Sequence, residues 1–117
     1  MPKRIYEILG QVDPTAATET VLYTVPSKRT AIVKVTAFNG SGVANMIKVA
    51  VVNDGGSASN PTTTSKDYRV DGFPLGTNYE DIDKEFKGIT LNEFDQIRVE
   101  ATVLGSTFHC YGVEIEP

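Results

Sequence analysis

The 117-residue sequence predicts an all-β protein: a single β-sandwich, jelly-roll-like, of about eight antiparallel strands. Three observations predict it. β-Branched residues dominate, with thirteen Val, eight Ile and thirteen Thr against five Leu and eight Ala. Their side chains suit a pleated surface and lose rotamer freedom in a helix. Apolar and polar residues alternate with period two in run after run, and no run keeps helical periodicity. Ten Gly and six Pro punctuate these runs as turns. The length fits one domain with one core.

"KRIYEIL" (3–9) alternates and makes a short first strand. "GQVDPTAATE" reads as an irregular connector, so residues 1–19 form an N-terminal strand or arm plus connector and 20–117 the sandwich domain. "TVLYTV" (20–25) is a second strand, stopped by Pro26, which has no N–H for a ladder. In "TAIVKVTAFN" (30–39), Ala31, Val33, Val35 and Ala37 share one face, and Ile32, Lys34, Thr36 and Phe38 the other. After "GSG", "VANMIKVAVVN" (43–53) puts Val43, Ile47, Val49 and Val51 on one face. These two strands, joined by a Gly-containing loop, are expected to pair as a hairpin.

"DGGSASNPTTTSKD" (54–67) is the longest polar stretch and reads as a surface loop. "YRVDGFPLG" is a short strand broken by Gly and Pro. "NYEDIDKEF" (78–86) alternates. "QIRVEATVL" (96–104) is the cleanest strand, with Ile97, Val99, Ala101 and Val103 inward. "TFHCYGVEIE" (107–116) closes the chain, with Tyr111, Val113 and Ile115 expected inward.

The net charge of −4 argues against a nucleic-acid partner, which calls for a basic stripe against phosphates. No apolar run approaches the roughly 20 residues that span a bilayer, and "MPKR" is not followed by a signal-peptide core, so no membrane partner is expected. The single cysteine, Cys110, excludes an intramolecular disulfide and a Cys-rich zinc site.

Chemistry-bearing residues are sparse. His109, the one histidine, neighbours Cys110 in a strand, and adjacent strand residues point to opposite faces, so a Cys–His couple is geometrically poor. Asp81, Asp83 and Glu85 alternate along one strand face but lack the Gly turn and terminal Glu of a calcium loop. They read as a solvated or charge-guarded face. "NDGG" (53–56) is a turn without a following helix to bind phosphate. No catalytic, cofactor or metal site is expected, and the protein reads as a non-enzyme. Phe38, Phe108 and Met46 lie opposite the main alternation and are candidates for a subunit contact.

The stretch "LGQVDPTAATETVLYTVPSKRTAIVKVTAFN" (9–39) resembles the start of small virion structural proteins of tailed bacteriophages. In these a Leu-Gly-Gln segment leads through a Pro/Ala/Thr connector into a Leu-Tyr-Thr-Val-Pro run. "GITLNEFDQIRVEA" is similar to the family's Gly-Ile-Thr-Leu…Asp-x-Ile-x-Val element, and "FHCYGVEIE" to its closing strand. "VPSKR" departs from the family's small residues after the Pro. "YRVDGFPLGTNYEDIDKEF" is only loosely similar.

The resemblance implies a virion β-sandwich. The expectation drawn from it is a capsid decoration (cement) protein, a homo-oligomer and most simply a trimer, that binds the major capsid protein. The alternative is a tail, baseplate or fibre module binding a host-surface glycan or another tail protein. Residues 1–20 are the expected capsid-gripping arm, with Ile5, Ile8 and Leu9 as its apolar anchors beside the contact candidates Phe38, Met46 and Phe108.

Overall fold

The computed structural model describes residues 4–40, 45–54, 61–75 and 83–116. Eight strands run through the described residues: β1 (Arg4–Val12), β2 (Thr20–Thr24), β3 (Thr30–Asn39), β4 (Asn45–Val52), β5 (Tyr68–Leu75), β6 (Asp83–Leu91), β7 (Gln96–Ala101) and β8 (Ser106–Ile115). They build two four-stranded sheets. Sheet A has the order β1-β8-β3-β6 and sheet B the order β2-β7-β4-β5, with every pairing antiparallel. Among consecutive strands only β4 and β5 are neighbours in one sheet; every other connection crosses to the opposite sheet. That is the strand order of a jelly roll.

The core lies between the sheets. Ala31, Val33, Val35 and Ala37 of β3 face Ile47 and Val49 of β4 and Ile97, Val99 and Ala101 of β7. Leu22, Tyr23, Val25, Ile89, Leu91, Phe108 and Cys110 complete it. Burying each large aliphatic or Phe side chain contributes about 1.5–3 kcal/mol. The alternation in β3 and β7 therefore selects the inner face, as the sequence predicts for those two strands.

Three sequence expectations are corrected. First, β3 and β4 do not form a hairpin. β3 pairs with β8 and β6, and β4 with β7 and β5. Both strands carry an apolar inward face, and such strands can face each other across a core as readily as they pair side by side. Val43 lies outside the described residues.

Second, the phase of the last strand is reversed. Phe108, Cys110 and Gly112 are buried, while Tyr111, Val113 and Ile115 turn outward and are half-buried. The segment is apolar in both phases, so its own pattern cannot choose. The register against β3 does, because Val33, Val35 and Ala37 pair with Gly112, Cys110 and Phe108. Gly112 is needed there: a Cβ would sit 2.2 Å from the Ile32 carbonyl oxygen.

Third, β7 ends at Ala101, and Val103 falls in the turn before β8.

β1 is longer than expected and belongs to the sandwich. It pairs with β8 from Arg4 to Val12, with a bulge between Ile8 and Gly10, and Leu9 and Val12 pack against the core. A Cβ on Gly10 would lie 2.2 Å from the Leu22 carbonyl oxygen, so glycine lets β1 approach β2 of the other sheet. The 61–67 part of the polar stretch lies beside sheet B. Its single turn of 3₁₀ helix, Ser65–Asp67, is capped by the Asp67 carboxylate accepting from Thr64 N–H at 2.8 Å. Of the carboxylate row Asp81, Asp83 and Glu85, Asp81 lies outside the described residues; Asp83 and Glu85 are in β6, and their side chains are not described.

Polar clamps close both poles. At one pole the buried Asp95 carboxylate accepts from the backbone N–H groups of Asp54 and Asn92, both at 2.9 Å. Its own carbonyl accepts from Val25 N–H at 3.0 Å, and Val25 in turn accepts from Phe94 N–H at 3.0 Å. At the other pole the buried Asn45 side chain donates to the Val103 carbonyl and the Ser106 hydroxyl, and accepts from Thr102 and Val103.

Candidate interaction surface

The outer face of sheet A is built by the alternate residues that the core does not use. Cross-strand register arranges them in rows. Ile115 lies beside Thr30; Val113 beside Ile32; Tyr111 between Ile8 and Lys34; His109 between Gln11 and Thr36; and Thr107 beside Phe38. Ile8 is 53% exposed, Ile32 49% and Phe38 39%. The middle rows are thus a contiguous apolar patch of Ile8, Ile32, Tyr111, Val113 and Ile115, adjoined by the polar row of Gln11, His109 and Thr36. The Lys34 ammonium lies 5.8 Å from the centroid of the Tyr111 ring, and Tyr111 stacks on His109. Lys34 is the one ionised side chain on this face of β1, β8 and β3 among the described residues. Exposed apolar surface of this kind, rimmed by polar groups, marks interaction sites.

The contact candidates read from sequence divide accordingly. Ile8 and Phe38 lie on this face. Met46, 43% exposed, is on the outer side of sheet B. Leu9 turns inward at the β1 bulge. Phe108 is fully buried between the sheets and has no surface to offer a partner. Ile5 is in β1, and its side chain is not described. Sequence reasoning missed Tyr111, Val113 and Ile115, because it placed them inside. The signal that could have found them is the fit of Phe108 and Cys110 to the β3 phase.

Beside the patch, a cleft of about 620 Å³ is lined by Lys28, Arg29, Thr30, Asn92, Glu93 and Ile115. Lys28 holds a left-handed backbone (φ 62°), and its N–H donates to the Glu93 carboxylate at 2.5 Å. Arg29 donates to Glu114 at 2.7 Å and to Glu116 at 2.5 Å. Tyr23 donates its hydroxyl to the other Glu114 oxygen. Burial first, then this hydrogen bond to a carboxylate, pushes the Tyr23 phenol well above its ordinary value. A second cleft of about 340 Å³, on sheet B, is lined by Glu19, Val21, Pro61, Thr62, Thr63 and Arg98. Arg98, buried, donates to Thr63 at 2.7 Å and to Gln96 at 2.9 Å.

His109 and Cys110 point to opposite faces, as the sequence predicts. His109 is outward and stacked, and Cys110 is in the core with its thiol raised to about 12 by burial. Among the described residues no three or more His, Cys, Asp or Glu side chains are grouped to hold a metal ion. No helix among the described residues is long and apolar enough to cross a membrane.

Fold and surface together define a small jelly roll with an uncovered apolar sheet face. No family model and no curated protein matches this chain. Solved structures do. A chain of the acid-stable capsid of the Helicobacter pylori bacteriophage KHP30 is similar over 100% of this chain and 94% of its own length, at 12% identity and a TM-score of 0.55. A chain of Bacillus endospore appendages, which are disulfide-linked pili, is similar over 97% of this chain and 88% of its own, at 13% identity and a TM-score of 0.54. The fold is therefore one found in a bacteriophage capsid and in a pilus. At these identities the likeness is one of fold.

Proposed function

We propose that this chain is a bacteriophage virion structural protein: a capsid decoration protein that binds the major capsid protein and stabilises the head shell as a homo-oligomer. The uncovered apolar face of sheet A carries the reading. A small jelly roll with such a face has an interaction to make, and among the described residues no convergent acid–base set is placed beside it. Fold alone does not decide function. It supports this one, because the capsid chain it resembles is nearly the same length: the match covers 100% of one and 94% of the other.

The mechanism is adhesion by repetition. Each copy contributes a modest contact, and linked copies hold several such contacts at once, so avidity exceeds any single affinity. β1 is an edge strand of sheet A. Its outer backbone groups can take up a strand from the shell, and this supports reading the N-terminal segment as the capsid-gripping element.

The pilus reading fits less well. A disulfide-linked polymer needs at least two bridging cysteines per subunit. Here the one cysteine, Cys110, is buried with its thiol held protonated.

The test is an image of the intact particle with this chain located, together with co-sedimentation of the purified chain with heads that lack it. Many symmetric copies over the head and saturable binding are expected. A few copies at the tail sink the decoration role and favour the tail, baseplate or fibre alternative.

A further inference from the structure

We infer that Asn39–Gly40, at the end of β3, is a deamidation site that the closed β3–β8 pole keeps shut, so that a chain whose pole opens is marked irreversibly. The inference goes beyond the structural role above and does not depend on it.

An Asn side chain can react with the backbone nitrogen of the residue that follows. Glycine, with no side chain to hinder the approach and the freest backbone, makes the fastest such pair. Position 39 is the one place in the sequence where Gly follows Asn. The other five Asn precede Met46, Asp54, Pro61, Tyr79 and Glu93. Four of those side chains hinder the approach, and Pro61 has no N–H to react.

In the reaction the Gly40 nitrogen gives its proton to hydroxide and bonds to Asn39 Cγ. The Cγ–Nδ2 bond breaks, and ammonia leaves with a proton from water, which regenerates hydroxide. Water then opens the resulting five-membered imide at either carbonyl. The product at position 39 is an aspartyl residue, or an isoaspartyl residue whose main chain is longer by one carbon.

Ring closure needs both partners free to move, and the folded chain frees neither. Gly40 N–H donates to the Gly105 carbonyl at 2.9 Å. Asn39 is 2% exposed and pairs with Ser106 across β3 and β8. Ser106 is itself buried, and its hydroxyl accepts from the Asn45 side chain at 2.5 Å. Asn45 also ties down Thr102 and Val103 in the turn before β8. The most reactive Asn of the sequence therefore occupies one of the most enclosed polar positions of the fold. The groups that seal it, Thr102 to Ser106, are made long after Asn39.

Either product sets a carboxylate where a neutral amide was enclosed, and the isoaspartyl form also breaks step with Ser106. A buried charge without a partner is costly, so a converted chain does not close the pole again.

The test holds the full chain at mildly alkaline pH, in buffer and in urea above its unfolding midpoint, and follows conversion at position 39 by peptide mass spectrometry. Conversion in buffer is expected to be at least about 100-fold slower than in urea, because only the opened population reacts. In urea, Gly40→Ala slows it by about tenfold or more, since a Cβ hinders the nitrogen. In buffer, Asn45→Ala speeds it by at least about tenfold by untying the turn, with the circular dichroism still that of a folded β protein. If Asn45→Ala does not fold, Thr102→Val, which removes one bond of the same network, takes its place. Lys28→Ala, at the opposite pole, leaves the rate unchanged. Chains kept in urea lose the ability to refold in step with conversion. Four results overturn the proposal: conversion as fast in buffer as in urea, conversion in urea no faster at Asn39 than at the other Asn, a rate in buffer indifferent to loosening the Asn45 network, or converted chains that refold like fresh ones.

Discussion

Replacing Asp95 by alanine tests the polar clamp at one pole of the sandwich. The Asp95 carboxylate is buried and accepts two backbone N–H groups at 2.9 Å, from Asp54 at the end of β4 and from Asn92 in the β6–β7 turn. The substitution leaves both donors without their acceptor. A buried donor without an acceptor costs about 1–3 kcal/mol, so the pair gives about 2–6 kcal/mol. A domain of this size has about 5–15 kcal/mol in total. The loss is a large share of that, and lowers the melting temperature by about 10–20 °C. Urea unfolding followed by circular dichroism reads the change as a lower midpoint with an unchanged slope. Asp67→Ala is the control: it removes an exposed cap of a single turn and costs under about 1 kcal/mol. If Asp95→Ala were as mild as Asp67→Ala, water would already be satisfying these donors, and the clamp would not hold the three segments together.

Phe108→Ala costs about 3–5 kcal/mol by opening a core cavity, while Phe38→Ala, on the outer face, costs under about 1 kcal/mol; thermal melts of the two variants compare them. Lys28→Gly removes a left-handed backbone penalty of about 1 kcal/mol and raises the melting temperature by a few degrees, whereas Lys28→Ala keeps the penalty and does not. Cys110 gives alkaline sensitivity. Below about pH 9 the thiol is protonated whether folded or not. Between 9 and about 12 only the unfolded chain ionises it, so the folded state loses about 1.4 kcal/mol per pH unit across that window. In Cys110→Ala that part of the slope disappears from denaturant titrations run at pH 9 to 11.

The class of fold was legible because β3 and β7 alternate cleanly and are central strands whose inner faces are apolar up to the buried Asn39 at the end of β3. What failed is informative. β8 is apolar in both phases, so burial is decided by its partner β3 and not by its own residues. The pair β3 and β4 looked like a hairpin because a short Gly-containing loop reads the same whether it turns within a sheet or crosses between two. Asn45 and Asp95 were passed over because a polar residue at a strand end ordinarily faces water; only the structure shows Asp95 tied to backbone groups at Asp54, Asn92 and Val25, and Asn45 tied to Thr102, Val103 and Ser106 around the turn before β8. Of the residues on the outer face of sheet A, Ile8 had been named as an arm anchor and Phe38 as a contact candidate, and Ile32 had been put on the same face as Phe38. Tyr111, Val113 and Ile115 were lost with the phase of their strand. Phe108 was assigned to the surface for the same reason.

The order β1-β8-β3-β6 also governs when this protein can begin to fold. Sheet A is joined through β8, the last of these eight strands to leave the ribosome, which must slip between β1 and β3, two strands made long before it. Until then β1 has no neighbour in its own sheet, and the apolar flank of β3 is open. Contacts so distant along the chain make folding slow and leave unpaired strand edges exposed in the meantime. A nascent chain arrested before Ser106 should therefore be a poor monomer, protease-sensitive and prone to join its neighbours edge to edge. The same capacity for strand exchange becomes useful only after β8 has closed the sheet and the acidic surface is in place to limit it.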